Sequence, residues 1–276
     1  IRGGSHEQIV ILLNGINVSS SKSGHLSFDF PINLSDIERI EVLRGPSALI
    51  YGTGAFSGAI NIITKHSAET SLYAKATAGM HRLVGAELRG AMTWGKTENS
   101  LSLSRRSSAG YRANTDYEIY NALWQTRLNL PAENKMDLQL GYNEKKFGAN
   151  SFYSAKYPKQ YEHTQRMIAS LRGDLGGERL RLLPTIYWDR EYDCFELVRG
   201  TTFGQNHHIV NNYGAGLIAT APSSGRRRSV ESSAMRRSSG ISLVRHALSP
   251  RATTLSSVAE RTSASVWSIQ SSWISG

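Results

Sequence analysis

The chain has 276 residues, a formal net charge of +10 and a single cysteine, Cys194. One cysteine can form neither an internal disulfide nor a cysteine metal cluster, which excludes both kinds of site. No stretch approaches the roughly 18 consecutive apolar residues of a membrane-spanning helix. With 25 Gly, 12 Tyr and only 7 Pro, the composition favours many strands joined by turns.

The positive charge is concentrated near the C-terminal end. Residues 217–276 contain eight Arg and two Glu, so they carry +6 of the net +10, and the preceding 216 residues carry +4. A basic tail is one mark of nucleic-acid binding, and a soluble basic β-rich binding protein is the rival interpretation. Only Trp267 and Trp273 interleave with the arginines of the tail, so we expect no nucleic-acid partner.

Residues 1–66 predict a small mixed α/β unit. Short strands are predicted at 8–13, 40–43 and 59–63. Asn14 and Gly15 predict a tight turn after the first strand. Ser35, with Glu38 three residues later, predicts the start of a helix.

Gly52, Gly54 and Gly58 raise the alternative of a phosphate-binding loop. Their spacing is not that of the dinucleotide-binding loop, and no Gly-Lys-Ser/Thr follows. They also precede a strand instead of opening a helix. We therefore assign them to tight, closely packed turns, for which glycine is suited.

Residues 67–220 repeat one pattern, in which apolar and polar residues alternate. Eight strands are predicted, near 70–79, 83–94, 98–106, 119–130, 136–147, 164–175, 179–191 and 209–219. The breaks at 95–98, 131–134 and 175–178 are short, whereas those at 107–118, 148–163 and 192–208 are long and polar. A soluble β-sandwich also alternates, but regular short and long connections are typical of a membrane-spanning β-barrel.

The alternation assigns each side chain to one face of the predicted sheet. The residues expected to face lipid are Ala122, Trp124, Leu128, Met136, Leu138, Leu140, Leu182 and Ile186. The residues expected to face inward are Asn121, Gln125, Arg127, Lys135, Asp137 and Gln139. Because the period of a strand is two, a slip of one residue would reverse the whole assignment.

Residues 36–65 resemble, without a gap, the second half of the plug domain of TonB-dependent outer-membrane receptors, and residues 10–17 resemble the strand before it. The motif positions are Arg39, Glu41, Arg44, Gly45, Pro46, Tyr51, Gly52, Gly54, Gly58, Asn61 and Lys65. The run Arg44-Gly45-Pro46 separates the chain from the glycan-importing branch, which typically has Lys-Asp-Ala there. This run indicates the siderophore and cobalamin type.

The resemblance implies a fold of two parts. Residues 1–66 would be the C-terminal half of a mixed α/β plug domain. Residues 67–220 would be the first eight strands of an antiparallel transmembrane β-barrel of about 22 strands. The plug arginines would pair with carboxylates on the barrel wall. We expect a signal peptide, the TonB-coupling box and the first half of the plug upstream of residue 1.

The implied function is transport without catalysis, since no catalytic constellation is present and the chain is not expected to be an enzyme. Such receptors lie in the outer membrane of Gram-negative bacteria, contact its lipid, and import a scarce small-molecule ligand with energy from the TonB complex. Residues 147–154, 157–162 and 187–197 resemble receptors for cobalamin, vitamin B12. We therefore expect a metal-containing ligand, with cobalamin first and an iron-siderophore or haem as the alternative.

Two groups of residues are candidates for binding. Phe152, Tyr153, Tyr157 and Tyr161 form an aromatic-rich loop that contacts either the ligand or its own neighbours. Asp189, Glu191 and Asp193 share one face of a strand and are weak candidates for a hard cation such as calcium, or form a solvated face. Adjacent His207 and His208 point apart on an extended chain and make a poor chelate. No resident cofactor is expected.

Residues 221–276 do not continue the pattern. The segment 217–276 has 17 Ser and eight Arg but no Lys, Tyr, Phe, Asn or Asp, and alternation stops after Ala219. Such low complexity is typical of a disordered tail, but a barrel of about 22 strands cannot end after eight. We therefore predict that the segment is out of frame or disordered, with a backbone that is either irregular or added to the sheet.

Overall fold

The computed structural model describes residues 8–20, 29–44, 57–66, 69–177, 179–223, 226–244 and 258–262. They form two sheets, one of four strands and one of ten. We call residues 8–66 the inner unit and the ten-stranded sheet the wall. No helix in these ranges is long and apolar enough to cross a membrane.

The inner unit contains a mixed sheet in the order β2-β1-β4-β3. Its strands are β1 (Ile9–Leu13), β2 (Ile16–Asn17), β3 (Ile37–Leu43) and β4 (Gly58–Thr64). Strands β1 and β4 are parallel, and the other two pairs are antiparallel. Strand β1 is central and covered on both faces, so Val10, Ile11, Leu12 and Leu13 are all buried. A run without alternation is what such a strand requires.

The predicted helix at Ser35 is wrong. A single 3₁₀ turn, Leu34–Asp36, is followed at once by β3. The backbone N–H of Asn33 donates to Oδ2 of Asp36 over 2.8 Å, which closes the turn two residues earlier than Ser35 and Glu38 suggested. Pairing of β3 with β4 outweighs the local helix signal, because Ile37 and its β-branched neighbours fit a sheet. The described part of the inner unit therefore contains strands and a 3₁₀ turn but no α-helix.

The wall is an antiparallel up-and-down sheet in which each strand pairs with the next along the chain. Its first eight strands are β5 (Ser71–Gly79), β6 (Leu83–Trp94), β7 (Thr97–Ser108), β8 (Tyr117–Asn129), β9 (Lys135–Gly148), β10 (Tyr161–Gly176), β11 (Arg181–Glu196) and β12 (Gln205–Ser223). All eight predicted strands are therefore found. The sheet is open, with β5 at one edge.

The alternation of connections is also found. The connections are short at one end of the wall, where 95–96 and 130–134 make turns and β10 ends four residues before β11 begins. At the other end, 109–116, 149–160 and 197–204 make longer loops. The exception is 80–82, a short turn at the long-loop end. Strands β10 and β11 reach further toward the long loops than the sequence predicted, because their ladder continues to the pair Tyr161 and Glu196.

The predicted faces of the wall are confirmed where exposure distinguishes them. Leu123, Gln125 and Gln139 are at most 5% exposed, because the inner unit covers them. Trp124, Leu140 and Ile186 are 36%, 42% and 54% exposed on the opposite face. The apolar face is therefore open, as lipid contact requires, and the polar face is covered.

Part of the chain beyond residue 220 joins the sheet, which is one of the two outcomes predicted for it. Strand β13 (Arg226–Val244) pairs with β12, and β14 (Val258–Thr262) pairs with β13. An edge strand offers unpaired backbone N–H and C=O groups to any extended neighbour, whatever its side chains. Extended backbone here does not decide whether the segment is in frame, so the reading-frame error stays a prediction.

Candidate functional site: the contact between the inner unit and the wall

Asn14, at the turn after β1, ties the inner unit to the wall. It has a φ of 52°, a conformation that asparagine tolerates better than most residues. Its side-chain amide donates to Thr64 over 2.9 Å and to Gln139 of the wall over 2.7 Å. Gln125 of the wall donates to the same Thr64 hydroxyl over 2.8 Å. Two wall amides therefore hold the turn.

Arg166, on β10, is a buried cation of this contact, at 3% exposure. Its Nε and Nη2 donate to the two carboxylate oxygens of Asp189, each over 2.8 Å. Nη2 also lies 3.3 Å from Oε1 of Glu191. Such a bidentate pair fixes the guanidinium plane.

The same guanidinium reaches the inner unit. It donates to the backbone carbonyls of Val18 and Asp29, over 2.5 and 3.2 Å. Glu191 in turn accepts a hydrogen bond from Ser20 over 2.6 Å. One buried ionic group of the wall therefore binds both Val18 and Asp29, which flank residues 19–28.

A second buried ion pair joins Arg89 of β6 to Asp36 of the inner unit, with 3.4 Å between Nε and Oδ1. Arg89 also donates to the Lys65 carbonyl over 3.4 Å. Burial raises the pKa of Asp36, and hydrogen bonds from Asn33 and Ser102 with the charge of Arg89 offset part of that rise. The pKa of Asp36 is therefore set by two opposing effects, of which burial is the larger.

The resemblance implies that plug arginines pair with wall carboxylates. The ion pairs described across this contact instead join wall cations to carboxylates of the inner unit. Lys145 of the wall pairs with Asp29 over 2.8 Å, and Arg172 of the wall donates to the Asn14 carbonyl over 2.8 Å. Arg39 instead pairs with its neighbours Glu38 and Glu41, and its side chain is 54% exposed. In the described part of the chain the wall supplies the cations, and the inner unit supplies carboxylates and carbonyls.

Three of the other motif residues, Glu41, Asn61 and Gly58, lie in the sheet of the inner unit. Glu41 accepts a hydrogen bond from Asn61, whose own carbonyl oxygen accepts from the backbone of Gly15. Gly58 opens β4 with a φ of 141°, which favours glycine. Arg44 is exposed after the end of β3. Gly45, Pro46, Tyr51, Gly52 and Gly54 lie outside the described residues.

The aromatic loop divides into exposed and packed residues. Phe152 is 67% exposed. Tyr153 packs edge-on against Phe152 and Phe195, and its hydroxyl donates to Glu162 over 2.6 Å. Burial, with that carboxylate, raises the pKa of the Tyr153 hydroxyl. Tyr157 is half-buried, with the Lys156 ammonium 5.7 Å from its ring centre.

Tyr161 lies beneath Arg199, whose guanidinium carbon is 4.5 Å from the ring centre. Arg199 forms a bidentate pair with Asp116, over 2.7 and 2.9 Å, and these hydrogen bonds lower the pKa of Asp116. Asn114 donates to the Gln160 carbonyl over 2.6 Å. The three long loops are thus joined to one another. Arg199 and Asn114 could not be predicted, because no local sequence pattern marks a contact between residues 46 to 85 positions apart.

Asp189, Glu191 and Asp193 share one face of β11 and are buried, at 0%, 8% and 4% exposure. The alternation predicted the shared face but not the burial. Asp189 and Glu191 share Arg166, and His208 lies 3.5 Å from Asp193. Among the residues that the structure describes, no three His, Cys, Asp or Glu side chains are grouped so that they could hold a metal ion.

The two histidines do point apart. His207 lies 3.2 Å from the Tyr192 hydroxyl and 3.9 Å from the sulfur of Cys194, whereas His208 faces Asp193. Adjacent residues of a strand point to opposite faces, so this separation follows from the backbone.

The inner unit packs against one face of an up-and-down sheet whose other face is apolar, which is the arrangement of a plugged barrel wall. The profile of the family described as TonB-dependent Receptor Plug Domain matches residues 1–59. This part of the chain therefore carries the plug domain of TonB-dependent receptors.

Curated relatives support the same family. The chain is 28% identical over 184 residues to the vitamin B12 transporter BtuB of Photobacterium profundum, covering 63% of this chain and 30% of that protein. It is 31% identical over 141 residues to the hemin receptor of Yersinia enterocolitica, covering 45% and 20%. It is 47% identical over 73 residues to the rhizobactin receptor of Rhizobium meliloti, covering 26% and 10%. The chain therefore spans less than a third of the length of these relatives.

A solved structure shows the same fold. The siderophore receptor PiuA of Acinetobacter baumannii superposes with a TM-score of 0.66 at 15% identity, covering 88% of this chain and 40% of that one. This likeness concerns the arrangement of the inner unit and the wall, and it carries no information about the ligand.

Proposed function

We propose that this chain is part of a receptor that imports a scarce metal-containing ligand across the outer membrane, with vitamin B12 as the first candidate and energy supplied by the TonB complex. The observation that supports import is the covered polar face of the wall. The inner unit occupies the side on which a solute would pass, and buried charges hold it there. Transport then requires these contacts to rearrange.

The long loops form the rim at which the ligand would first bind. Phe152 and Tyr153 are exposed there, and Tyr111 of the neighbouring loop is 68% exposed. Exposed aromatic rings offer flat apolar surface at little cost in side-chain entropy, which suits a large ring system such as a corrin. The curated vitamin B12 transporters among the relatives support the same ligand.

A ferric siderophore or haem is the second candidate, and the charge of the rim favours it. The loops 109–116, 149–160 and 197–204 carry four basic residues, Arg112, Lys156, Lys159 and Arg199, against one acid, Asp116. A positive rim attracts an anionic ligand. The relatives named as hemin and rhizobactin receptors fit this alternative.

Binding to the purified receptor separates the candidates. Cyanocobalamin, hemin and a ferric siderophore are titrated separately by calorimetry in detergent, at low and high salt. We expect cyanocobalamin to bind with little salt dependence. Binding of hemin or of the siderophore alone, weakening with salt, would replace the first candidate with the second.

Variants then locate the site. Phe152→Ala and Tyr153→Ala are expected to lower the affinity for the ligand at least tenfold. Tyr213→Ala is the matched control, because this aromatic residue is 50% exposed on the outer face of the wall. Equal affinity of all three variants would remove the aromatic loop from the site.

A further inference from the structure

A small cavity lies between the inner unit and the wall, beside Arg166. Its volume is about 20 Å³, which is enough for one water molecule. Asp29 of the inner unit lines it together with Asn143 of β9 and Thr164 of β10. Neither the proposed import nor the ligand site at the rim uses this cavity.

Three oxygen atoms of these residues are buried and have no hydrogen-bond partner in the part of the chain that the structure describes. They are Oδ2 of Asp29, Oδ1 of Asn143 and Oγ1 of Thr164. Asn143 and Thr164 are only 4% and 5% exposed. A buried polar atom without a partner costs free energy, so three of them around one cavity indicate an occupant that forms hydrogen bonds.

The hydrogen bonds of Asn143 decide which of its amide atoms faces the cavity. Its NH₂ group donates to the carbonyl oxygen of Asn121 over 2.6 Å. The NH₂ group of Asn121 donates in turn to the carbonyl oxygen of Asn33, which fixes the orientation of Asn121. A flipped Asn143 amide would break its link to Asn121, so the carbonyl oxygen of Asn143 is the atom that remains as an acceptor at the cavity.

The charges beside the cavity favour a neutral occupant. Arg166 lines the cavity, and Lys145 bonds the other carboxylate oxygen of Asp29 over 2.8 Å. Among the three oxygens a metal cation would therefore meet a single carboxylate oxygen beside two positive groups, which is a poor ligand set for a hard cation. An anion would meet two oxygens, those of Asp29 and Asn143, that can only accept hydrogen bonds.

One water molecule satisfies all three oxygens. It can donate one hydrogen bond to Asp29 and one to Asn143, because both atoms are acceptors. It can accept the third from Thr164, whose hydroxyl hydrogen rotates to suit. A buried water typically forms about three hydrogen bonds, so the cavity offers the usual number of partners.

A water in this place would also complete a longer chain of hydrogen bonds. Beyond Asn143 each side chain donates to the next, in the order Asn121, Asn33, Ser102 and Asp36. Asn121 and Ser102 belong to the wall, whereas Asn33 and Asp36 belong to the inner unit. The chain therefore crosses repeatedly between the two units, and the water would connect its open end to Asp29.

We propose that the cavity holds one ordered water molecule, which joins Asp29 of the inner unit to Asn143 and Thr164 of the wall. Through Asn143 the water connects Asp29 to Asp36, so one hydrogen-bond network holds both ends of residues 29–36 against the wall. A water-mediated hydrogen bond is nearly as favourable in enthalpy as a direct one, so the filled cavity strengthens this contact.

The test is a crystal structure of the purified receptor at a resolution that shows ordered water. We expect one density peak within about 3 Å of all three oxygens. Crystals soaked in rubidium bromide are expected to show no anomalous signal at this peak, because neither ion replaces the water. An anomalous signal from rubidium or bromide, or a cavity without density, would overturn the proposal.

Variants at Thr164 test the hydrogen-bond donor. Thr164→Ser keeps the hydroxyl and is expected to keep the peak, whereas Thr164→Val replaces the donor with a methyl group and is expected to lose it. Ser170→Ala is the matched control, because this buried hydroxyl lies on the same strand outside the cavity. An unchanged peak in a folded Thr164→Val variant would also overturn the proposal, and the wild-type crystal decides the matter if that variant fails to fold.

Discussion

The inner contact and the rim both contain bidentate arginine–carboxylate pairs, but in different surroundings. Arg166 and Asp189 have 4% and 0% of their side chains exposed, whereas Arg199 and Asp116 have 41% and 38%. Desolvation makes a broken buried pair costly, because the remaining charge has no water to solvate it. An exposed pair is screened and contributes little. Breaking the buried pair should therefore destabilise the inner contact more than breaking the exposed pair destabilises the loops.

The largest effect is expected from Arg166→Ala. Asp189 would stay buried without its bidentate partner, and we expect a loss of about 3–5 kcal/mol in the free energy of unfolding. Arg181→Ala is the matched control on the same sheet, because its bidentate pair with Asp174 is partly exposed. Denaturant unfolding in detergent measures both. Equal losses would mean that burial does not separate the two kinds of pair.

A lipid-facing charge is expected to have the next largest effect. Leu140→Arg places a guanidinium on the outer face of the wall and should cost about 2–4 kcal/mol at the bilayer midplane. The measurement is reversible folding into lipid vesicles. Leu140→Ala is the control for lost side-chain volume, and we expect a smaller cost from it. If the arginine variant folds as well as the alanine variant, the assignment of faces is wrong.

A smaller effect concerns pH and the buried pair of Arg89 and Asp36. Burial raises the pKa of Asp36 above its ordinary value of 3.8, so the folded state holds this proton to a higher pH than the unfolded chain. The stability that Asp36 contributes is therefore greatest below 3.8 and falls as pH rises through the folded value. Asp36→Asn should remove that slope from a plot of unfolding free energy against pH. An unchanged slope would assign it to other groups.

The smallest effect on stability is expected at the rim. Arg199→Ala should cost no more than about 1 kcal/mol, because the pair with Asp116 is exposed. It should still speed amide hydrogen exchange in residues 109–116, since the Arg199 side chain donates to Asn114 and Asp116 of that loop. Lys156→Ala serves as the control, because the contact described for it stays within its own loop. Unchanged exchange would show that the loops are held by other contacts.

Gln125 and Gln139 show which part of a contact can be predicted from the sequence and which part cannot. Gln125 and Gln139 were placed on the inner face from the period of their strands, and both contact the inner unit. Their partners, Thr64 and Asn14, could not be predicted, because strand period fixes direction and not the distant segment that it meets. Arg39 belongs to the plug motif, which implies a partner on the wall, yet its described contacts stay within the inner unit.

The strands, their faces and the order of short and long connections can be predicted from the sequence, because a strand's period of two and its turn residues are local properties. That Ser35 precedes a strand and that the wall carries the buried cations depends on tertiary contacts. These outcomes depend on residues that lie far apart along the chain, such as Val18, Arg166 and Asp189. Burial then sets their energies, because a charge removed from water must find its partner in the fold.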